Sequence, residues 1–250
     1  MTLLDGKIAI VTGAASGFGA QIARRYVEQG ACVLLADINA EAASDLAATL
    51  GDRANAIRCD VANAADVAAA VRHCVEIFGV PDIVVNNAGL AYKSRPMLEV
   101  DEETFDRIFA VNVKSIYYMA QAVIPLMRER RSGVLLNIGS TAGIRPRPGT
   151  TWYNASKGAV NLLSKAMAVE LAADGIRVNA ICPVIGATAM LENFLGAPDT
   201  PDNRARFIAT IPLGRLSEPD DVAQVAVFLA SDGAAFLTGI EIPVDGGRTI

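Results

Sequence analysis

The chain predicts an α/β fold with a doubly wound, seven-stranded parallel sheet, and two observations carry this prediction. Short apolar runs, such as Ile8-Ala9-Ile10-Val11 and Ile83-Val84-Val85, alternate along the chain with longer amphipathic segments. Strand–helix alternation at this spacing requires parallel pairing with right-handed crossovers, which places helices on both faces of the sheet. Strands that are covered on both faces are apolar throughout, as these runs are.

The individual elements follow from the same patterns. Apolar and β-branched runs bounded by turn residues predict strands at 7–12, 32–37, 54–60, 82–86, 134–140, 177–181 and 241–244. Amphipathic periodicity predicts helices at 18–29, 40–50, 63–78, 101–130, 152–173 and 219–231. Neither an internal repeat nor a low-complexity linker interrupts this order, so we expect residues 1–250 to form a single domain.

Residues 186–212 depart from the alternation. The segment is rich in glycine and proline and contains one short apolar helical candidate at 190–195. A loop of this length in a compact domain is usually functional, so we predict a substrate lid. The alternative is a solvent-exposed insertion, in which Met190, Leu191 and Phe194 pack within the segment instead of forming an apolar wall of the pocket.

Composition argues against several classes of function. The 250 residues are 52% hydrophobic and 20% charged, so a large core can form. A net charge of −5 argues against a nucleic-acid binder, which would present a basic face. The sequence shows neither a leader pattern nor a run of ~20 apolar residues, so we expect a cytoplasmic protein without a membrane span.

The cysteine and histidine content argues against a metal site. The four cysteines, at positions 32, 59, 74 and 182, are widely spaced and form no C-x-x-C pair, so we expect buried thiols. His73 is the only histidine, which leaves a zinc site or a Ser-His-Asp triad without its usual parts. We therefore expect no bound metal.

A glycine-rich loop joins the first predicted strand to the first predicted helix. Its residues are Thr12-Gly13-Ala14-Ala15-Ser16-Gly17-Phe18-Gly19. Glycine lets the backbone turn tightly and approach a pyrophosphate, and N–H groups at the helix N-terminus face the anion. We expect Gly13, Ser16, Phe18 and Gly19 to contact a dinucleotide. The alternative is a glycine-rich turn without a ligand.

Acidic residues follow the next two strands. Asp37 ends the second predicted strand, where a carboxylate can accept hydrogen bonds from adenosine ribose hydroxyls. It would repel a 2′-phosphate, neither arginine nor lysine stands in the glycine loop, and the next residue is Ile38, so the pattern predicts NAD rather than NADP. Asp60 and Val61 end the third strand, where the carboxylate can meet the adenine amino group or else cap the following helix.

Tyr153 and Lys157 form a candidate pair for proton transfer. They lie four residues apart in a predicted helix and so share one face. Tyrosine, with a pKa of about 10, is a poor base near neutral pH, but a nearby cation stabilises its phenolate and a positively charged nicotinamide ring would add to this. We expect Tyr153 to act as acid/base with a lowered pKa, and Ser140, at the end of the fifth predicted strand, to orient a substrate oxygen. The alternative is a core tyrosine, a solvated lysine and a turn-capping serine.

Taken in order, these pieces resemble the short-chain dehydrogenase/reductase family over essentially the full chain. The matching motifs are Thr12-Gly-x-x-x-Gly17-x-Gly19, Asp60, Asn86-Asn87-Ala88-Gly89, Asn112, Ser140, Tyr153-x-x-x-Lys157, Pro183 with Thr188, and Pro243-Val244-Asp245-Gly246-Gly247. The resemblance implies a Rossmann fold and a homotetramer. Within the family, it is to 3-oxoacyl-carrier-protein reductases and to glucose or polyol dehydrogenases.

The resemblance also implies roles for individual residues. It implies that Asn112 anchors a water in a proton relay and that Lys157 holds the nicotinamide ribose. It places five further residues along the dinucleotide, namely Asn87, Ala88, Gly89, Pro183 and Thr188. One departure stands before Thr188, where Val184-Ile185-Gly186 replaces the family's usual residues, so the resemblance does not imply the backbone path there.

Four cationic residues are placed near the expected pocket, namely Lys93, Arg95, Arg145 and Arg147. They could bind a carboxylate, sulfonate or phosphate of the substrate, or else be solvated or lie at a subunit interface. Trp152 is expected to pack against the protein rather than to stack on substrate.

The leading hypothesis is an NAD-dependent oxidoreductase that transfers a hydride between nicotinamide and a small secondary alcohol or ketone, such as a polyol, sugar or hydroxy acid. A 3-oxoacyl thioester reductase is the alternative within the same chemistry, although such enzymes commonly use NADP. Two other hypotheses are a dinucleotide-sensing protein that lost turnover and an isomerase or epimerase with transient hydride transfer. The presence of Asn112, Ser140, Tyr153 and Lys157 argues against a purely binding role.

Overall fold

A computed structural model describes residues 2–186 and 198–250 of the chain. These residues form one sheet of seven parallel strands in the order β3-β2-β1-β4-β5-β6-β7. The strands are β1 (Ile8–Thr12), β2 (Cys32–Asp37), β3 (Ala54–Arg58), β4 (Ile83–Asn86), β5 (Gly133–Ile138), β6 (Ile176–Pro183) and β7 (Glu241–Val244). The strand order reverses between β1 and β4, so their carboxyl ends border a crevice of the kind in which α/β proteins bind ligands.

Helices connect the strands and flank the sheet. Within the described ranges they are α1 (Gly17–Glu28), α2 (Ala40–Leu50), α3 (Ala64–Ile77), α4 (Glu102–Phe109), α5 (Ser115–Arg130), α6 (Thr151–Leu171), α7 (Pro201–Ile208) and α8 (Pro219–Ala230). Each of the strands β1 to β6 is followed by at least one of them, as parallel pairing requires.

The sheet is packed on both faces, as its apolar strands require. Ala9 and Val11 lie in one core cluster with residues of α1 and α8, whereas Ile10, between them, lies in a second cluster with residues of α3 and α5. Successive side chains of a strand point to opposite faces, so one strand contributes to both clusters. On the first face, the buried Tyr26 hydroxyl donates to the Ala226 carbonyl oxygen (3.1 Å) and joins α1 to α8.

The predicted doubly wound sheet is confirmed, with all seven strands in place. Two strands end earlier than predicted, because β3 stops at Arg58 and β5 stops at Ile138. Asp60 and Ser140 therefore lie just beyond the strands, where their side chains accept hydrogen bonds from nearby backbone N–H groups. Such local bonds compete with strand pairing, which accounts for the shorter strands.

Helix α7 differs from the prediction, which gives no helix at 198–212. Thr200 caps this helix, because its Oγ1 accepts from the Asn203 N–H (3.3 Å), and Pro201 supplies the fixed φ of the first turn. The proline therefore begins a helix here and does not break one. The helical candidate predicted at 190–195 lies outside the described residues.

The long helix predicted at 101–130 contains one wide turn. Helix α4 continues through a π-helical segment at Ala110–Lys114 into α5. At its centre the buried Asn112 pairs with the backbone of Leu90, since its Oδ1 accepts from the Leu90 N–H (2.7 Å) and its Nδ2 donates to the Leu90 carbonyl oxygen (3.0 Å). Turns of this type often occur at functional sites, and this one fixes the loop that follows β4.

Candidate active site

A cleft of about 810 Å³ lies at the carboxyl ends of the strands. It is lined by the segments that follow β1 to β6, by α6 and α7, and by the segment after β7. The predicted residues that line it are Gly13, Ser16, Phe18, Asp37, Ile38, Asp60, Val61, Asn87, Ala88, Gly89, Ser140, Tyr153, Lys157 and Pro183. Gly19 and Asn112 stand outside this lining, and Thr188 lies outside the described residues.

Close packing in the glycine loop leaves no room for a side chain at Gly13 or Gly19. Gly13 has a φ of 62°, and a Cβ there would lie 2.8 Å from Ala88 Cα. A Cβ on Gly19 would overlap the Gly13 carbonyl oxygen. Asn87 closes the loop from the other side, because its Nδ2 donates to the carbonyl oxygens of Thr12 (2.8 Å) and Gly13 (2.9 Å). The loop is held as a cradle whose geometry suits a phosphate.

The N-terminus of α1 faces this cradle. Ser16 stands at the N-cap position with extended backbone, yet its side chain makes no capping hydrogen bond. The first N–H groups of a helix have no partner within the helix, and here the usual side-chain cap is missing. A phosphate at this point would supply acceptors for these groups.

Asp37 is fixed against the glycine loop at the end of β2. Its Oδ2 accepts from the Ala15 N–H (2.9 Å), and its Oδ1 accepts from the Asn39 N–H (2.9 Å). Ile38, the next residue, is 60% exposed and also lines the cleft. A ribose held at this end of the cleft would meet a carboxylate whose position is set by the backbone.

Asp60 does not cap the helix that follows it. Asn63 caps α3 with its side chain, whereas Asp60 Oδ1 accepts from the Ala62 N–H (2.9 Å) within its own turn. The helix-cap interpretation is therefore wrong. Asp60 and Val61 line the cleft next to the end of β2.

Thr12 joins the glycine loop to the turn after β4. Its Oγ1 accepts from the N–H groups of Asn87 (3.0 Å) and Ala88 (3.1 Å). Gly89 follows, and a Cβ there would lie 3.4 Å from Lys157 Nζ. The turn after β4 thus runs between the glycine loop and the buried lysine.

Tyr153 and Lys157 are both buried on α6. Lys157 Nζ lies 6.0 Å from the centroid of the Tyr153 ring and donates to the Ile138 carbonyl oxygen (2.8 Å). Burial lowers the pKa of Lys157 to about 8, because removing the ammonium from water disfavours its charge. The lysine can therefore exchange a proton close to neutral pH.

In the protein without cofactor, the pKa of Tyr153 is raised and not lowered. Burial raises the pKa of Tyr153 to about 12, which outweighs the lowering by a hydrogen bond with Ser140 and by the charge of Arg147. The chain by itself therefore does not lower this pKa, and the expected lowering depends on the nicotinamide charge as well as on the lysine. Further positive charge beside the hydroxyl is needed to bring the pKa down.

The Ser140 hydroxyl caps a turn and also lies beside Tyr153, so the two interpretations of this residue are compatible. Its Oγ accepts from the Ala142 N–H (3.0 Å) and so caps the short turn at Thr141–Gly143. The same side chain hydrogen-bonds Tyr153. The turn fixes a hydroxyl group beside the tyrosine, where it can also bind the oxygen of a substrate.

Asn112 braces the turn of α6 that carries Tyr153. Its Nδ2 donates to Ser156 Oγ (3.0 Å), which in turn donates to the Tyr153 carbonyl oxygen (2.8 Å). Ser156 is not among the predicted site residues. Its position between Tyr153 and Lys157, in a helix turn where both of these residues are buried, could have indicated it.

The segment after β6 passes close to the glycine loop. Pro183 ends β6, and Gly186 pairs with Ser217 in an isolated parallel bridge. A Cβ on Gly186 would lie 2.6 Å from Phe18 Cζ, so the glycine lets the chain pass close to this ring. The departure from the family's usual residues therefore leaves an ordered path as far as Gly186.

The four cationic candidates separate into two pairs. Arg145 and Arg147 line the cleft, whereas Lys93 and Arg95 are not among its described lining residues. Arg95 Nη2 instead donates to Thr104 Oγ1 (3.3 Å). Only the first pair is close enough to meet a substrate in the cleft.

Phe207 on α7 and Arg248 after β7 are among the residues that line the cleft without having been predicted. The guanidinium carbons of Arg147 and Arg248 lie 5.2 and 5.0 Å from the centroid of the Phe207 ring. Arg145 Nη1 donates to the Arg248 carbonyl oxygen (2.6 Å). Three distant segments make these contacts, so no local sequence pattern indicates them.

Trp152 packs against the protein, as expected. Its ring meets Phe105 edge-to-face at 5.4 Å between centroids, and its Nε1 donates to the Met97 carbonyl oxygen (3.2 Å). The packing holds the start of α6 in place, one residue before Tyr153.

No group of histidine, cysteine and acidic side chains among the described residues is arranged to hold a metal ion. The cysteines are free, and burial raises the pKa of Cys59, Cys74 and Cys182 to about 12. None of the described helices combines the length and apolar composition needed to cross a bilayer.

Comparison with known proteins agrees with the geometry. A family model described as enoyl-(acyl carrier protein) reductase matches residues 13–249. The chain is 50% identical to 4-formylbenzenesulfonate dehydrogenase of Comamonas testosteroni, over 99% of both chains. It is 42% identical to D-threitol dehydrogenase of Mycolicibacterium smegmatis, over 99% of this chain and 94% of the other.

A solved structure shares the whole fold. The crystal structure of 3-ketoacyl-(acyl-carrier-protein) reductase from Brucella melitensis, complexed with NADH, has a TM-score of 0.92 to this chain at 43% identity. The match covers 99% of this chain and 100% of the other. The chain belongs to the short-chain dehydrogenase/reductase family of oxidoreductases.

Proposed function

We propose that the protein is an NAD-linked oxidoreductase that interconverts a small alcohol and its carbonyl compound, with Tyr153 as the acid/base. One observation carries the proposal: Tyr153 hydrogen-bonds Ser140 and shares a buried helix face with Lys157, in the same cleft as the glycine loop. A nicotinamide bound in this cleft would supply hydride transfer, and the residues below would bind it and move the proton.

The dinucleotide is proposed to lie along the cleft from the end of β2 to α6. The residues that would hold it are Gly13, Ser16, Phe18, Gly19, Asp37, Ile38, Asp60, Val61, Asn87, Ala88, Gly89, Tyr153, Lys157, Pro183 and Thr188. The described residues fit such a group, because Gly13 and Gly19 leave no room for a Cβ and the α1 N-terminus is left uncapped by a side chain. Both features suit a pyrophosphate.

NAD is proposed as the preferred dinucleotide over NADP. Asp37 is held by two backbone N–H groups at the position where the adenosine ribose would lie. A carboxylate there accepts bonds from two ribose hydroxyls and repels a 2′-phosphate. The related Brucella melitensis structure was solved with NADH, which supports the same preference.

In oxidation, the phenolate Oη of Tyr153 would take the proton of the substrate hydroxyl, and Ser140 Oγ would hold the same oxygen in place. In reduction, Oη would return the proton. Because the pKa of Tyr153 is about 12 in the protein alone, the phenolate needs added positive charge nearby. Lys157, whose pKa is lowered to about 8, could then pass protons onward. Asn112 would brace the helix turn between Tyr153 and Lys157 through its bond to Ser156.

The relatives narrow the substrate to small molecules. One relative's name specifies 4-formylbenzenesulfonate and another's D-threitol, so both an aromatic carbonyl compound and a polyol fit this fold. A 3-oxoacyl thioester reductase is the second candidate, because a 3-ketoacyl-(acyl-carrier-protein) reductase is 43% identical to this chain over 99% of its length. The two candidates differ in whether the carbonyl lies on an acyl thioester.

We also propose a lid, an assembly and a location. Phe207 on α7 lines the cleft, which supports a lid within 186–212.

Tyr117, Leu162 and Val169 are 58%, 69% and 84% exposed, and such apolar surface favours subunit contacts in a homotetramer. The protein is proposed to work in the cytoplasm as a single domain over 1–250.

The test is an NADH-absorbance screen of the purified protein with NAD and NADP. The panel contains polyols, sugars, hydroxy acids, aromatic alcohols and aldehydes, and a 3-oxoacyl thioester. We expect turnover with NAD on one class, and Tyr153→Phe should reduce kcat by at least ~100-fold while NADH still binds. Near-wild-type turnover by Tyr153→Phe would refute the acid/base assignment, and a preference for NADP would refute the role of Asp37.

A further inference from the structure

Charge is separated along the cleft. The carboxylates among the described lining residues are Asp37, which ends β2, and Asp60, which follows β3; Arg107 on α4 also lines the cleft. The part formed by the segment after β5, by α7 and by the segment after β7 carries the arginine cluster, which we define as Arg145, Arg147 and Arg248. A ligand that spans the cleft therefore meets the Asp37 and Asp60 carboxylates at one side and the arginine cluster at the other.

The arginine cluster is held in place by tertiary contacts. Phe207 is buried, with 8% of its surface exposed, and both Arg147 and Arg248 contact its ring at cation–π distances of 5.2 and 5.0 Å. The 2.6 Å bond from Arg145 Nη1 to the Arg248 carbonyl oxygen ties two of the segments together. These contacts position the two guanidinium groups before a ligand arrives.

The positive charges in the cluster disfavour one another. Burial lowers the pKa of Arg147, and the charge of Arg248 lowers it further. Burial likewise lowers the pKa of Arg248, and Arg145 adds to this, while Asp245 opposes it. The Asp245 carboxylate is already engaged, since it accepts from the N–H groups of Gly247 (2.9 Å) and Thr249 (2.8 Å). An added anion would relieve this crowding of charge.

We propose that Arg147 and Arg248, braced on Phe207, bind a sulfonate or carboxylate group of the substrate. The inference rests on the proposed function and narrows it to an alcohol or carbonyl compound that carries a negative charge. Guanidinium groups bind such oxyanions through paired, charge-assisted hydrogen bonds. Arg147 and Arg248 contact the same ring and the charge of Arg248 reaches Arg147, so one anion can interact with both charges.

The subsite lies on the reacting side of the cleft. The charge of Arg147 lowers the pKa of Tyr153, so the arginine is within electrostatic reach of the hydroxyl that would move the proton. Asp37, in contrast, lies at the end of β2 beside the glycine loop. The anion would therefore belong to the substrate and not to the phosphates of the dinucleotide.

The test compares benzenesulfonate with methyl phenyl sulfone, its uncharged analogue, by calorimetric titration of the whole chain with and without NADH. We expect benzenesulfonate to bind at least ~10-fold more tightly. Arg147→Gln and Arg248→Gln should each remove most of that preference, and Arg147→Lys should retain part of it. Lys93→Gln is the matched control, because it removes one positive charge from an exposed position outside the described cleft lining.

Equal binding of the two probes by the wild-type protein would overturn the subsite, whatever the variants do. So would an unchanged preference in both glutamine variants, or an equal loss in Lys93→Gln. NADH is titrated separately. Failure of NADH to bind while the sulfonate preference persists would count against the proposed function and leave the subsite standing, so the two failures are distinguishable.

Discussion

The glycine loop and the arginine cluster are proposed to recognise their ligands by opposite means. The loop works through backbone: Gly13 and Gly19 have no space for a Cβ, and Asn87 holds the carbonyl oxygens in position. The cluster works through long side chains, two of which, Arg147 and Arg248, reach a common ring from separate segments. A backbone cradle fits one kind of group with little tolerance, whereas side chains can be exchanged singly. The difference indicates how one fold keeps its cofactor while its substrate changes.

The largest expected effect is in the cradle. Gly19→Ala should weaken NADH binding by at least ~100-fold, about 2.7 kcal/mol, because its Cβ would overlap the Gly13 carbonyl oxygen and the Asn87 amide. Fluorescence titration of NADH measures this change. Gly158→Ala is the matched control, since its Cβ would meet only the Gly143 carbonyl oxygen at 3.9 Å. A Gly19→Ala dissociation constant within about threefold of the wild-type value would contradict the backbone account.

A second prediction concerns Lys157, which lies between the two regions. Its folded pKa of about 8 lies below the ordinary 10.5, so the unfolded chain binds more protons between these values. The contribution of Lys157 to the free energy of unfolding should therefore rise with pH across that window, by roughly 2 kcal/mol between about pH 8 and 10. Urea unfolding of wild-type protein and Lys157→Met without cofactor measures it. Parallel stability curves for the two proteins would show that the buried amine does not titrate as expected.

The smallest effect is expected at Asp37, where a side chain supplements the backbone cradle. Asp37→Asn removes the charge that would repel a 2′-phosphate, so the ratio of NADH to NADPH affinity should fall by about tenfold. Asp52→Asn, at an exposed position after α2, controls for the change in net charge. If both substitutions leave the ratio unchanged, the carboxylate does not face the ribose.

The contrast between the two regions also explains how far the sequence predicts the fold and the site. Strands such as Ile8–Thr12 and the glycine loop are local patterns, so neighbouring residues are enough to predict them. Arg248 and Phe207 meet only after the chain has folded, and nothing near either residue indicates the other. A lysine four residues from Tyr153 predicts a lowered pKa for the tyrosine, yet burial dominates that pKa, and burial is a sum over the whole fold.

The wide turn at Ala110–Lys114 affects how the chain tolerates insertions and deletions. In a regular α-helix each N–H bonds the carbonyl oxygen four residues back, whereas in a π-helical turn it bonds the one five residues back, so this turn holds one extra residue. Deleting one residue from the turn would restore a regular helix and leave α5 in nearly its present rotation relative to α4. Met119 and Val123 would therefore stay buried against the sheet, whereas the pairing of Asn112 with Leu90 depends on the turn itself. Loss of one residue here should remove the anchor of the loop after β4 and leave the core in place.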